Sequence, residues 1–378
     1  MRAAPAVLRA IDLRRPWADV DHLWETALDR GMRSPSFRMV AVGETIDRKG
    51  LCRFGAVGDR DLDDLLDPNR VLERYDDGAT LVLQAIQHVD PAYAQLSTNL
   101  ALELDQPVQV NAYLSPPAAQ GLDLHFDYHD VIVVQLAGSK RWRVWEPLER
   151  TQRPMRRGTR IAAPTLEELA APLVDDTLRP GDCLAVPRGF PHAAETIAEA
   201  SDHLTIGVMA LTWERVVRLA LDGGTSSTDL ADRLGPEPLD GTDSAGTGAA
   251  AAPGALRELE ARLSPERLSA LVRREVWRRQ PRTRVRPRGP VPVALTTPLC
   301  VTPGPLLWCR SGTESCELVL ELGDRALVLP GEARQLVTAI LRRAERFTVD
   351  GVRGDLDPES AMAVVGRLVR EGVVAVAP

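Results

Sequence analysis

The strongest constraint on the fold is a succession of short apolar runs between residues 37 and 213, each closed by turn-forming residues. Thr80–Ile86, Val108–Leu114, Val131–Leu136, Trp142–Trp145, Cys183–Pro187 and Leu204–Trp213 are rich in Val, Ile, Leu and aromatics. Ser115-Pro116-Pro117, Ala137-Gly138 and Arg179-Pro180-Gly181-Asp182 punctuate them, residues that set turn geometry rather than continue a strand. The runs do not alternate regularly with helical patterns. They predict a mainly β domain, a sandwich or barrel, and disfavour a doubly wound sheet.

The flanking segments have different textures. Residues 1–36 read as a helical and irregular N-terminal extension, with Trp17, Val20, Leu23, Trp24 and Leu28 on one apolar face. The β-rich domain spans 37–221. Residues 222–254 are Gly, Ser, Thr, Ala, Pro and Asp, the composition of a linker. In 255–290 an apolar stripe runs through Leu256, Leu259, Leu263, Leu268, Leu271, Val272 and Val276. Between 255 and 289 there are 11 arginines against four glutamates, a local charge of +7. The plain reading is a solvated helix face with an extended arm; the sharper one is a surface for RNA, the ribosome or an acidic peptide. Residues 291–378 read as a small α/β unit of winged-helix type: a hairpin of Glu317–Leu322 and Ala326–Leu329, helices at Gly331–Arg343 and Pro358–Glu371, and a strand at Val373–Val376.

Charge and cysteine usage narrow the setting. A net charge of −7 argues against a generally basic nucleic-acid binder. No run approaches 18 uninterrupted apolar residues and residues 1–20 lack the apolar core of a secretory signal, so the expectation is a cytoplasmic protein with no membrane contact. Cys52, Cys183, Cys300, Cys309 and Cys316 are odd in number with no C-x-x-C spacing, and read as ordinary thiols. Cys309 and Cys316 would approach each other if they lie on paired strands.

Two residue types are scarce enough to be informative. Only Lys49 and Lys140 are lysine among 46 basic residues, and four of the six histidines, His125, His129, His192 and His203, fall within 125–203. On an extended strand, residues two apart share a face, so His125 and Asp127 address one point. An imidazole and a carboxylate so placed supply two of the three ligands of a 2-His-1-carboxylate metal triad. His192, just past Pro187-Arg188-Gly189-Phe190-Pro191, is the candidate third. H-x-D alone is weak: a hydrogen-bonded pair at a strand edge is the plain alternative, and Asp123 shares the face and competes as carboxylate. Trp142 and Trp145 lie on opposite faces of one strand, so at least one is core.

The surroundings make the motif specific. Asn111-Ala112-Tyr113-Leu114-Ser115-Pro116-Pro117, Gln120-Gly121, His125-Phe126-Asp127, Gln135-Leu136 and Lys140-Arg141-Trp142 resemble the JmjC-type cupin oxygenases, closest to their ribosomal-oxygenase branch. Pro180-Gly181-Asp182, Pro187-Arg188-Gly189, His192 and Ser201-Asp202-His203-Leu204-Thr205 follow in the same order. The resemblance covers about residues 37–213 and extends faintly further, that branch also carrying a helical dimerisation region and a C-terminal winged-helix domain.

The resemblance implies a double-stranded β-helix, a distorted two-sheet barrel, housing an Fe(II)- and 2-oxoglutarate-dependent hydroxylase that consumes O2. By motif match His125, Asp127 and His192 ligate iron, and Lys140 meets the distal carboxylate of 2-oxoglutarate. Tyr113 helps hold the same group, while Asn111 and His203 line the pocket. His129 matches no fixed family position. The implied partners are a protein or peptide substrate and a second copy of the chain in a homodimer. Three rival readings accompany this one. The C-terminal unit would bind the leader of a peptide natural-product precursor, or the substrate would be a small molecule; the same chemistry would remove an N-methyl group; or the cupin would be a non-enzymatic binding module.

Overall fold

All six apolar runs contain a strand, and together they build most of two facing sheets in the first of two units, Met1–Ala210. The computed structural model describes residues 4–28, 31–152, 161–222, 257, 259–260, 262–278, 280–281, 287, 289, 291–302, 308–311, 317–322, 325–341 and 346–377. In chain order the strands are β1 (Ala6–Leu8), β2 (Phe37–Ala41), β3 (Glu44–Thr45), β4 (Cys52–Val57), β5 (Arg60–Leu66), β6 (Thr80–Leu83) and β7 (Val108–Ser115). They continue with β8 (Asp130–Gly138), β9 (Lys140–Val144), β10 (Val174–Leu178), β11 (Cys183–Val186), β12 (His192–Glu195) and β13 (Ser201–Val208).

The larger sheet has eight strands in the order β1-β11-β8-β13-β7-β6-β2-β3, the smaller three in the order β10-β9-β12, and β4-β5 form a separate ribbon. Val131, Val133, Leu184 and Val186 of the larger sheet pack against Trp142, Val144 and Leu178 of the smaller one. Two apolar faces closed on each other form the core, and this is the two-sheet barrel expected from the sequence. The turn between β8 and β9 needs Gly138: its φ is +61°, and a Cβ there would fall 1.7 Å from the Ala200 carbonyl oxygen.

Among the described residues, the α-helices of this unit are α1 (Val20–Leu28), α2 (Pro68–Asp76) and α3 (Pro91–Leu104). α2 and α3 open on Asp-Pro pairs, with Asp67 accepting from the backbone N–H of Asn69 and Arg70 and Asp90 from that of Ala92. α3 lies on β7. His22 of α1 approaches Asp90 to 3.0 Å, which gives this histidine a structural partner away from the barrel interior.

The N-terminal segment departs from the expected helical extension. α1 forms as the apolar spacing predicts, but residues 6–8 are an edge strand whose backbone pairs with Cys183–Ala185. Arg9 anchors it through ion pairs with Asp176 and Asp182. Three residues are too few for a period-two pattern, and the pairing is a main-chain event that side chains do not announce.

In the second unit, Leu211–Pro378, helices Trp213–Asp222 and Pro265–Arg278 pack together, burying Val216, Ala220 and Val276. The expected C-terminal hairpin forms with Leu318 opposite Leu329 and Leu320 opposite Leu327. Helices Arg334–Leu341 and Pro358–Arg370 and strand Val374–Val376 also lie where the spacing puts them. Leu336, Val337, Val365 and Leu368 share the core of this unit with the hairpin leucines. Residues 223–254, 282–286 of the basic arm, the hairpin turn at 323–324 and the Cys309–Cys316 approach lie outside the described residues or side chains. Among the described residues no helix is long and apolar enough to cross a membrane.

Candidate active site

His125 and His192 face each other across a single two-bond antiparallel bridge. The His125 N–H donates to the His192 carbonyl at 3.2 Å, and the His192 N–H donates to the His125 carbonyl at 2.8 Å. Directly opposed residues of this kind project side chains to the same face, and the two rings stand 4.4 Å apart between centroids. Asp127 is fixed by the same turn: its carbonyl accepts the Gly189 N–H at 2.8 Å. The expected strand through His125-Phe126-Asp127 is therefore replaced by irregular backbone pinned at one bridge and one turn. One potential ligand atom from each of His125, Asp127 and His192 lies within 4.8 Å of the others.

The hydrogen bonds of the two imidazoles set their tautomers. Nδ1 of His125 lies 2.6 Å from the Asp123 carbonyl oxygen, and Nδ1 of His192 lies 3.0 Å from that of Phe190. A carbonyl only accepts, so each Nδ1 carries a proton, and metal binding falls to Nε2. Such backbone anchoring orients metal-binding histidines. Burial and the neighbouring His125 hold His192 below the ordinary histidine range, so it is neutral at pH 7, as a ligand must be. The donor set, two imidazoles and a carboxylate, fits a divalent transition metal with open coordination positions.

Asp123 is excluded as the competing carboxylate by its own placement. Its Oδ1 accepts from Gln120 Nε2 at 3.1 Å. A Cβ added to Gly43, whose φ is +78°, would stand 2.1 Å from its Oδ2, so the carboxylate occupies the space that this glycine leaves open. Its carbonyl orients His125 instead.

A cavity runs from these ligands into the barrel, lined in part by Tyr113, Lys140, Trp142, His203 and Thr205. Lys140 is 3% exposed and its Nζ donates to Ser115 Oγ at 2.8 Å. Burial pushes its pKa from 10.5 down to about 8, partly opposed by the charge of Asp202. A cation held in an apolar barrel with a hydroxyl as hydrogen-bond partner fits an anionic ligand, which would return the electrostatic stabilisation lost with water.

Tyr113 and His203 are opposed on β7 and β13 and stack with centroids 5.0 Å apart and planes 3° from parallel. The Trp142 edge meets the His203 ring at 5.6 Å. His203 is driven well below its ordinary pKa by burial and by Lys140. Its Nδ1 and Trp142 Nε1 are buried polar atoms without hydrogen-bond partners among the described residues. Two such orphans in one cavity fit a ligand rich in oxygen. Burial also raises the Tyr113 pKa, keeping the hydroxyl protonated at neutral pH.

Asn111 sits elsewhere than the pocket wall. Its Oδ1 accepts from the backbone N–H of Ala85 at 2.9 Å and from Gln109 Nε2 at 2.9 Å, holding a residue with φ +52°. The carboxamide is thus committed to the chain turn after β6. His129 packs over Gly207 of β13, where a Cβ would fall 2.8 Å from its ring. Trp142 and Trp145 are both buried. Ser115 and Thr80, whose hydroxyls lie 3.1 Å apart beside Lys140, were not singled out for the site from sequence. For Ser115 a signal existed, because it lies two residues beyond Tyr113 on the same face of β7. For Thr80 there was none, because its position depends on β6–β7 register.

The fold is that of the JmjC-type cupins, and residues 82–216 match the JmjC domain family. Ribosomal oxygenase 1 of Rattus norvegicus is 32% identical over 186 residues, which are 45% of this chain and 30% of that protein. The bifunctional lysine-specific demethylase and histidyl-hydroxylase NO66 of Aedes aegypti is 31% identical over 137 residues, 35% of this chain and 21% of that protein. The chain thus covers less than a third of the length of these relatives. Escherichia coli ycfD has the same overall fold, with a TM-score of 0.58 at 20% identity over 98% of this chain and 94% of that one. A second structure of it, described as a ribosomal oxygenase in complex with cobalt and 2-oxoglutarate, gives a TM-score of 0.54 at 20% identity, covering 98% of this chain and 94% of that one.

Proposed function

We propose that this chain is an Fe(II)- and 2-oxoglutarate-dependent oxygenase that hydroxylates an amino-acid side chain in a protein or peptide substrate. The carrying observation is one cavity that contains both the His125–Asp127–His192 cluster and the buried cation Lys140. Relatives named as ribosomal oxygenases support this substrate class, and neither comparison favours a natural-product precursor.

Iron at the three ligands would supply dioxygen activation coupled to decarboxylation of the oxoacid, chemistry that belongs to the metal rather than to the side chains. The chain's own residues do the rest. His125 and His192 offer Nε2, held in aim by the Asp123 and Phe190 carbonyls. Asp127 adds a negative charge that lowers the net charge of a divalent ion. Lys140 neutralises the distal carboxylate, and Tyr113 is a neutral donor that brings no second buried charge. Val131 and Trp142 line the cavity with apolar surface and exclude bulk water from it.

The NO66-type relatives are named for both demethylase and hydroxylase activities, and the two outcomes differ in product. Mass spectrometry of a host proteome with active enzyme and with the His192→Ala variant separates them. Hydroxylation adds one oxygen atom to a side chain, whereas demethylation removes a methyl group and releases formaldehyde. We further take the protein to be cytoplasmic and homodimeric, with 255–289 as a ribosome or RNA contact. Sedimentation of the full chain and of an Arg→Gln series in that segment, with and without RNA, tests the last two.

A further inference from the structure

We propose that Arg38 recognises an aspartate or glutamate side chain of the substrate, close in sequence to the residue presented to the metal, and that the inner face of β2 and β6 is the floor on which that segment lies. Resting on the oxygenase reading above, this assignment gives the protein or peptide substrate a charge pattern.

The larger sheet, with eight strands against three, extends past the smaller one. The core between the sheets draws residues from β8 and β11, and none from β2 or β6 among the described residues. Along these two strands one face carries Phe37, Met39, Leu81 and Leu83, all buried. On the opposite face, buried Val40 and Val82 alternate with Arg38 and Gln84, which are polar and half-buried. That face is the one turned to the cavity. Arg38 pairs with Val82, Val82 pairs with Tyr113, and Tyr113 lines the cavity. Directly opposed residues project to the same side, so Arg38 stands on the cavity side of the sheet, two strands from Tyr113.

Arg38 has no ion pair among the described residues, and its Nη1 donates to a neutral hydroxyl, Thr45 Oγ1, at 3.4 Å. A guanidinium has five donors and no acceptor, so most of its capacity is unspent. Its charge also acts on the Tyr113 hydroxyl, opposing the rise in pKa that burial causes there. Both carboxylates of 2-oxoglutarate are already placed, the distal one at Lys140 and the oxoacid end at the metal. An acid that meets Arg38 therefore comes with the substrate, and a carboxylate fits the planar fork with two parallel hydrogen bonds. A lysine or arginine brought there would face an unneutralised cation. β2 lies two strand spacings, about 10 Å, from β7, which an extended segment crosses in about three residues. The acid thus falls within about four residues of the hydroxylated one.

The test incubates the full chain, Fe(II), 2-oxoglutarate and oxygen with a host proteome, maps hydroxylated positions by mass spectrometry, and then assays synthetic peptides of those positions. Each position is expected to have an aspartate or glutamate within about four residues. Replacing that acid by lysine in the peptide should lower the wild-type kcat/KM roughly 10- to 100-fold, the range for a lost hydrogen bond to a charged group. Arg38→Gln should lose the preference, and Arg38→Glu should reverse it in favour of the lysine peptide, a reversal that a merely structural role would not produce. Positions without an acidic neighbour, or a wild type that works equally on both peptides, would overturn the assignment whatever the fate of the variants. So would an Arg38→Glu protein that keeps the wild-type preference. Absence of any hydroxylated position would instead defeat the oxygenase reading itself.

Discussion

Raising the pH from 7 to 9 should weaken 2-oxoglutarate binding about tenfold, and the reason lies in Lys140. Its ammonium is 3% exposed, and burial brings its pKa from 10.5 to about 8. That gap corresponds to a penalty on the order of 3 kcal/mol on the charged form. Below pH 8 the free protein already carries the proton, and binding a distal carboxylate meets a ready cation. Above pH 8 the free lysine is neutral and the proton must be taken up on binding. About nine-tenths of the free protein is protonated at pH 7 and about one-tenth at pH 9, and the observed affinity scales with that fraction. Calorimetry on the cobalt-loaded protein in buffers of different ionisation enthalpy measures both the affinity and the proton uptake. Lys140→Met should bind weakly at every pH and lose the slope. A flat wild-type profile between pH 7 and 9, or the same slope in Lys140→Met, would refute the reasoning.

Four further outcomes follow from the geometry. Asp127→Asn should abolish cobalt binding while Asp123→Asn largely preserves it, since only the first carboxylate belongs to the ligand cluster; metal titration followed by absorption distinguishes them. Gly43→Ala should weaken cobalt binding and lower the melting temperature, because its Cβ would displace the Asp123 carboxylate and with it the carbonyl that orients His125. Leu184→Ala, at a fully buried position between the sheets, should cost roughly 2–5 kcal/mol in a denaturant titration. The pH dependence of stability should also carry the lysine. The unfolded chain binds more protons than the folded one between pH 8 and 10.5, so Lys140 makes the wild type gain stability with rising pH across that window relative to Lys140→Met.

The legibility of this protein in its sequence varies with the range of the interaction. Val108–Leu114 and Val131–Leu136 could be read as strands because a run of buried apolar residues between turn signals is a local pattern. The C-terminal hairpin was readable for the same reason, with leucines alternating on both arms. The strand β1, Ala6–Leu8, carries no such pattern and exists because β11 offers it a free edge. At the site, the scarcity of lysine and the grouping of histidines brought attention to Lys140, His125 and His192, and the resemblance gave them roles. Residue spacing alone left Asp123 and Asp127 equivalent. The choice between them is made by Gly43, 80 residues upstream, through a contact no local pattern encodes. Asn111 shows the opposite failure: a residue of the right type near the right place whose side chain is spent on the backbone of Ala85.

In the proposed function, one cavity binds iron at His125, Asp127 and His192 and 2-oxoglutarate at Lys140. Anaerobic titration of the Fe(II)-loaded chain with 2-oxoglutarate addresses it directly. The expected result is a weak visible absorption band from the oxoacid chelating the iron, present in the wild type and absent in His192→Ala. A wild-type protein that binds Fe(II) at one equivalent yet develops no such band at saturating 2-oxoglutarate would contradict the account.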